Sequence, residues 1–235
     1  MATFVVAHGA WSAGWAWKKM RPLMRAAGHE LFTPTYTGIG ERSHLAHAGI
    51  DLDHHIQDVL QVLAYEDLHE VVLIGHSYGG MVATGVADRA TSRIRQLIYL
   101  DAFVPRDSES AMSLQPQAVQ ERMQAAVQAQ GEGWRVPANP LPPDTSAEDV
   151  AWSTPKRVMQ PVKTLEQPIV LTGAGDALPR SYIYCTRNGP GDVFRQFADR
   201  AKAAPGWQYA EMDASHNPHI TCPQALMQVF ESLIA

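Results

Sequence analysis

The sequence predicts an α/β protein, a mostly parallel sheet with helices on both faces and an inserted, mainly helical cap. Three observations carry this. Short, nearly continuous apolar runs such as Phe4-Val5-Val6-Ala7, Val71-Val72-Leu73-Ile74 and Ile94–Leu100 alternate with segments of helical spacing, the pattern of strands buried on both faces. Between the second of these runs and a small-residue helical pattern lies Gly75-His76-Ser77-Tyr78-Gly79-Gly80, a G-x-S-x-G in strand–turn–helix context. The regular alternation then breaks at Pro105 and returns near Ser181, which marks the insertion.

Taken in order, Thr3–Ala7 reads as a first strand ending in His8-Gly9-Ala10-Trp11. Gly14 to Ala27 carries Trp17, Met20, Leu23 and Met24 at helical spacing, and Gly28 stops it. Glu30–Thr33 is a short second strand closed by Pro34, followed by a polar loop from Thr37 to His44. Asp53 is expected to cap a helix with the stripe Ile56, Val59, Leu60 and Leu63. After the nucleophile-type turn and the strand Ile94–Leu100, residues 105 to about 165 are rich in Gln, Met and Pro. Helical stretches are expected there at Ala118–Gln130 and Ala147–Ala151, with a Pro-Leu-Pro-Pro loop at 140 to 143. The segment reads as a cap within one domain spanning 1–235. A strand at Ser181–Cys185, a helix over Val193–Ala203, a strand at Trp207–Met212 and a terminal helix from Pro223 complete the pattern.

Bulk properties narrow the function. With 235 residues, 46% of them hydrophobic, the chain can bury a full core. A net charge of -5 argues against nucleic acid or an acidic membrane surface as partner. No apolar run approaches a spanning helix, and Met1 leads straight into a strand rather than a signal peptide, so a cytoplasmic location is expected. Two cysteines, Cys185 and Cys222, do not make a disulfide framework and read as small apolar residues. His44, His47, His54 and His55 lack metal-ligand spacing and read as a solvated loop and a helix start, so no metal and no cofactor is expected.

The turn at Ser77 carries the chemistry. A serine at the tip of a sharp strand-to-helix turn is lifted clear of the sheet, and side chains two residues either way would collide, hence the glycines. At the helix start the Tyr78 N–H can meet a developing oxyanion. Ser77 needs a base, since a free hydroxyl is barely nucleophilic at neutral pH. His216 ends the last strand, on the sheet edge where open α/β sheets bind ligands. His219 is placed as a cap or surface residue by Pro218, and His76 points back into the fold as a structural group.

Five segments together carry a resemblance: His8-Gly9-Ala10; Gly75–Gly80; Tyr99-Leu100-Asp101-Ala102-Phe103-Val104-Pro105; Tyr182-Ile183-Tyr184-Cys185-Thr186; and Ala214-Ser215-His216 before a final helix. In this order they resemble the α/β-hydrolase superfamily, in the branch of plant methyl esterases, hydroxynitrile lyases and bacterial pyrethroid-hydrolase-type esterases. That resemblance implies His216 as base and the Ala10 N–H as second oxyanion donor. In the plant relatives the triad acid stands three residues past the cysteine, a place held here by Asn188. Asp101, at the carboxyl end of the strand after the nucleophile helix, keeps the order Ser…Asp…His and is favoured. Asp192, which reads as a helix N-cap, and Asp176 remain alternatives, as does no acid at all.

The expectation is a serine hydrolase of small to medium hydrophobic or aryl esters, through an acyl-enzyme, with a small-molecule ester as its partner. Met112, Met123, Met159, Trp134 and Trp152 of the cap are candidates to line the substrate pocket. Rivals on the same scaffold are a hydroxynitrile lyase and a cofactor-free oxygenase; a slow-turnover ligand receptor is a third. Lyases of this branch carry a threonine after the first strand and a lysine beside the base, whereas this chain has Trp11 and Asn217.

Overall fold

The computed structural model describes residues 1–189 and 191–234. In chain order the strands are β1 (Thr3–Ala7), β2 (Glu30–Phe32), β3 (Val71–His76), β4 (Ile94–Leu100), β5 (Arg135–Val136), β6 (Gln160–Pro161), β7 (Arg180–Cys185) and β8 (Trp207–Met212). The α-helices are α1 (Met20–Ala26), α2 (Leu52–Tyr65), α3 (Gly79–Arg89), α4 (Gln117–Gln130), α5 (Ala147–Ser153), α6 (Lys163–Glu166), α7 (Arg195–Ala203), α8 (Pro218–Thr221) and α9 (Pro223–Ile234). Six strands form one parallel sheet in the order β2-β1-β3-β4-β7-β8. From β1 the chain runs outward to β2, then returns to β3 and proceeds the other way. The switch point therefore lies between β1 and β3, where α/β sheets open a crevice at their carboxyl edge.

Alternation along each strand splits the core between the two faces. Val5, Ala7, Leu73, Leu97 and Tyr99 pack under α2, α3 and α7. Phe4, Val6, Val72, Ile74, Ile98 and Leu100 pack with Met20 and Met24 of α1 and with Leu226 and Phe230 of α9. Both faces being covered explains why β3 is buried throughout.

Between β4 and β7 lie α4, α5 and α6, together with a separate two-stranded antiparallel sheet of β5 and β6 that no local sequence pattern announces. Two residues per strand, one of them Pro161, leave too short a pattern to read. Trp11, after β1, ties this segment to the sheet: its N–H donates to Gln160 Oε1 at 3.2 Å and its indole N–H to the Val136 carbonyl at 2.9 Å.

Three local expectations are corrected. The helix expected over 14–27 is a 3-10 turn, Gly14–Trp17, followed by α1 from Met20. Helix α2 is capped by Asp51, not Asp53: the Asp51 carboxylate accepts from the His54 N–H, and His54 reaches back in a capping box. Asp53 instead pairs with Arg89 at 2.5 Å. The polar loop after Pro34 contains a 3-10 turn, Gly40–Leu45. Cys185 is buried and Cys222 half-buried, both as free thiols. Among the described residues no helix is long and apolar enough to cross a membrane.

Candidate active site

Ser77 stands at the tip of the β3–α3 turn with φ 57, a left-handed conformation that costs a non-glycine residue about 1–3 kcal/mol. Packing on all sides holds it there. The Ser77 N–H donates to the Leu100 carbonyl at 3.3 Å, and the Phe103 N–H donates to the Ser77 carbonyl at 3.2 Å. Gly79 is required by close approach: a Cβ there would stand 1.9 Å from the Ala7 carbonyl oxygen.

A line of three side chains crosses the carboxyl edge of the sheet. Ser77 Oγ lies 2.9 Å from His216 Nε2, and His216 Nδ1 lies 2.6 Å from Asp101 Oδ2. A carboxylate only accepts, so the short contact fixes the proton on Nδ1 and leaves Nε2 as the lone pair facing the serine hydroxyl. Asp101 is fully buried at the end of β4, with φ 43. Its carboxylate accepts from the Cys185 N–H at 3.2 Å and from Asn188 Nδ2 at 3.2 and 3.1 Å on its two oxygens. Those bonds offset the cost of burying the charge. The amide at 188 thus supports the carboxylate that the β4 end supplies. Phe194 stacks on the His216 ring, centroids 4.8 Å apart and planes 8° apart, and fixes the ring plane.

The other candidate acids are engaged elsewhere. Asp192 accepts from the Tyr184 hydroxyl at 2.7 Å and the Phe194 N–H at 2.9 Å, in the turn before α7. Asp176 pairs with Arg180 at 2.8 Å. After β1, Gly9 brings its loop against the turn, since a Cβ on it would be 3.1 Å from Ser77 Cβ. Among the described residues neither the Ala10 nor the Tyr78 N–H donates to another protein group. His8 props this loop from below, with Nδ1–H donating to the Gly9 carbonyl at 2.9 Å and its ring stacked on Tyr36.

Above the line opens a cavity of about 480 Å³, a size that suits a small molecule. Its apolar lining includes Phe103, Val119, Met123, Leu141, Leu165 and Phe194. Of the five cap residues named from the sequence, Met123 lines it. Trp152 packs edge-on against Trp15, Trp134 lies under Arg135, Met112 is buried in the core and Met159 borders a separate cavity beside the 138–145 loop. Arg122 and Arg157 of the cap and Arg187 of the rim also line the cavity, Arg187 being paired with Asp213.

Two histidines are placed differently from expectation. His55 is fully buried, its ring between the Tyr78 hydroxyl at 3.0 Å and the Thr37 carbonyl at 3.2 Å. His219 is not at the surface: α8 turns it inward, where it stacks on Trp17 and lines the cavity. The i+3 spacing from His216 was visible in the sequence, but the inward turn depends on Trp17, distant in the chain.

Burial lowers the pKa of His8 to about 4 and of His219 to about 3, and pushes those of His55 and His76 well down. All four stay neutral in the folded state, while their unfolded counterparts take up protons below about pH 6.5. Stability is therefore complete above that pH and falls as pH drops toward the folded-state values, at a rate on the order of 5 kcal/mol per pH unit when all four contribute. Denaturant midpoints at pH 7.5, 6.0 and 5.0 should decline steeply, before most carboxylates titrate. A midpoint unchanged down to pH 5.0 would contradict the buried, neutral histidines.

Comparison with known proteins agrees with this architecture. A family model described as "Alpha/beta hydrolase family" matches residues 4–229. The chain belongs to the alpha/beta hydrolase family. A carbendazim-hydrolysing esterase from Nocardioides sp. (strain SG-4G) is 39% identical over 99% of this chain and 100% of that protein. The match to an alpha-hydroxynitrile lyase from Arabidopsis thaliana is 30% identical and spans 43% of this chain and 40% of the lyase. Among solved structures, an extracellular alpha/beta-hydrolase from a Paenibacillus species superposes with a TM-score of 0.85, at 23% identity and 99% coverage of both chains. Methylesterases from Arabidopsis thaliana also match over about half of this chain, and a pyrethroid hydrolase from Sphingobium faniae shares the fold with a TM-score of 0.74 at 23% identity. Within the alpha/beta hydrolase family the chain is an esterase-type enzyme.

Proposed function

We propose that the chain hydrolyses carboxylic esters of small to medium, hydrophobic or aryl character through an acyl-enzyme on Ser77. One observation carries the reading: the hydrogen-bonded line Ser77–His216–Asp101, at 2.9 and 2.6 Å, with Ser77 and His216 lining the cavity and Asp101 buried behind them. Ser77 Oγ attacks the ester carbonyl as its proton passes to His216 Nε2. Asp101 stabilises the imidazolium and holds the tautomer. The oxyanion is met by the free N–H groups of Ala10 and Tyr78, the second at the start of α3. His216 then protonates the departing alkoxide, and water repeats the sequence to release the acid. The relative that hydrolyses carbendazim makes that compound the first named substrate to test.

A series of p-nitrophenyl esters of increasing acyl length tests the reading, with mandelonitrile run beside it. Each methylene should change kcat/KM by about 1 kcal/mol of transition-state binding or somewhat more until the cavity fills. Met123→Ala, at the lining, should move the preferred length upward, and Trp134→Ala should not. The residue beside His216 is Asn217 rather than a cation, so cyanide release should stay far below ester turnover. A flat, negligible ester profile together with rapid cyanide release would replace this reading with the lyase one.

A further inference from the structure

The cavity above Ser77 is lined by side-chain charge of one sign. Arg122, Arg157 and Arg187 line it, and among the described residues no aspartate or glutamate does. The chain as a whole carries a net charge of -5, so this is a local excess against the overall balance. The one acid of the catalytic line, Asp101, is fully buried behind His216 and its oxygens are taken by His216, Cys185 and Asn188. Arg187 is answered by Asp213 through two bonds of 2.6 Å. Neither Arg122 nor Arg157 forms an ion pair with another described residue. Arg122 stands on α4 with Val119 and Met123 of the same lining, at the spacing that shares a helix face.

Arg157 is the telling member. It is half-buried, and its Nη1–H donates to the Asn139 carbonyl at 2.5 Å. Asn139 lines the same cavity. A guanidinium has five N–H donors in a planar fork, so tying down one carbonyl uses a small part of it. Burial pushes its pKa below that of an ordinary guanidinium, and no neighbouring carboxylate offsets the effect. A desolvated charge without an opposite partner is costly, and in a concave, water-poor site its attraction for an anion is stronger than at an open surface. The fork matches a carboxylate in two-point contact. With a volume of about 480 Å³, the cavity takes a molecule that has an ester at one end and a second polar group at the other. Phe103, Met123 and Leu165 offer the apolar surface for the body between them.

We propose that Arg157 receives a carboxylate of the substrate, so that the esters this chain prefers are half-esters, with an apolar body, the scissile ester at one end and a free acid at the other. Arg122 adds positive potential from α4. This rests on the ester-hydrolase reading above and narrows it to a substrate class.

Two methyl esters of the same shape test it: monomethyl terephthalate, which carries a carboxylate, and methyl 4-carbamoylbenzoate, which carries the neutral amide in its place. Release of the acid product should give wild type a kcat/KM at least tenfold higher for the carboxylate ester, mainly through KM. Added salt should shrink that ratio, because it screens the attraction. Arg157→Gln should bring the ratio to about one, and Arg157→Lys should keep part of it, since the charge stays and the fork is lost. A wild-type ratio of one or less overturns the carboxylate site. So does an Arg157→Gln variant that slows both esters in the same proportion, the mark of a side chain that only ties down the loop at Asn139. Calorimetric titration of Ser77→Ala with the same two esters reads binding without turnover, and the carboxylate ester should bind at least tenfold tighter. If wild type hydrolyses neither ester nor p-nitrophenyl butyrate, the ester-hydrolase reading fails, and the binding ratio alone upholds or overturns the carboxylate site.

Discussion

Ser77→Ala should lower ester turnover by about six orders of magnitude, the loss seen when a serine hydrolase of this mechanism is deprived of its nucleophile. Structural disturbance cannot account for such a loss. Alanine at φ 57 is strained no more than serine, and the backbone bonds to Leu100 and Phe103 that lock the turn do not use the hydroxyl. The thermal midpoint should therefore stay within a few degrees of wild type. What remains is the substrate cavity and the two amides of Ala10 and Tyr78, which alone give only a small residual rate over water. An alanine variant keeping more than a few per cent of activity would instead favour chemistry in which His216 alone moves the proton, as in the oxygenase alternative.

Asp101→Asn should cost on the order of 10⁴ in turnover with the fold intact. Asparagine tolerates the φ of 43 at this position, and Asn188 can turn its amide to present an oxygen. The damage is electronic. An amide N–H at 101 would favour a lone pair on His216 Nδ1, placing the proton on Nε2, where it faces Ser77 and can no longer accept. It also removes the charge that stabilises the imidazolium. Asp192→Asn should stay within tenfold, because that carboxylate serves Tyr184 and the Phe194 N–H rather than His216. The reverse pattern, with the Asp192 variant collapsing and the Asp101 variant nearly intact, would remove Asp101 from the proposed mechanism.

Local patterns in the sequence were sufficient for the sheet. The apolar runs that became β3 and β4 are nearly continuous because both faces are covered, and their ends, like that of the edge strand β8, coincide with Ser77, Asp101 and the turn before His216. The G-x-S-x-G signal is legible for the same reason, since its glycines answer steric demands within a few residues. Less local arrangements were harder to read. Asn188 was legible as a departure from the plant pattern, but its role as a double donor to Asp101 depends on β4 and β7 being neighbours. His55 and His219 read in the sequence as solvated, cap or surface residues because a histidine's burial is set by distant partners, here Tyr78 and Trp17. The cap was the least legible part: Trp134 and Trp152 are apolar enough to line a pocket, yet their packing against Arg135 and Trp15 leaves that place to Val119, Met123 and Leu141.

Covalent labelling tests the central claim most directly. After inactivation by an organophosphonate, peptide mass mapping should find one phosphonyl group per chain, on the peptide that contains Ser77. Activity should be lost in proportion to that occupancy. Full occupancy of Ser77 with ester turnover retained, or complete inactivation with Ser77 unmodified, would contradict a mechanism that passes through this serine.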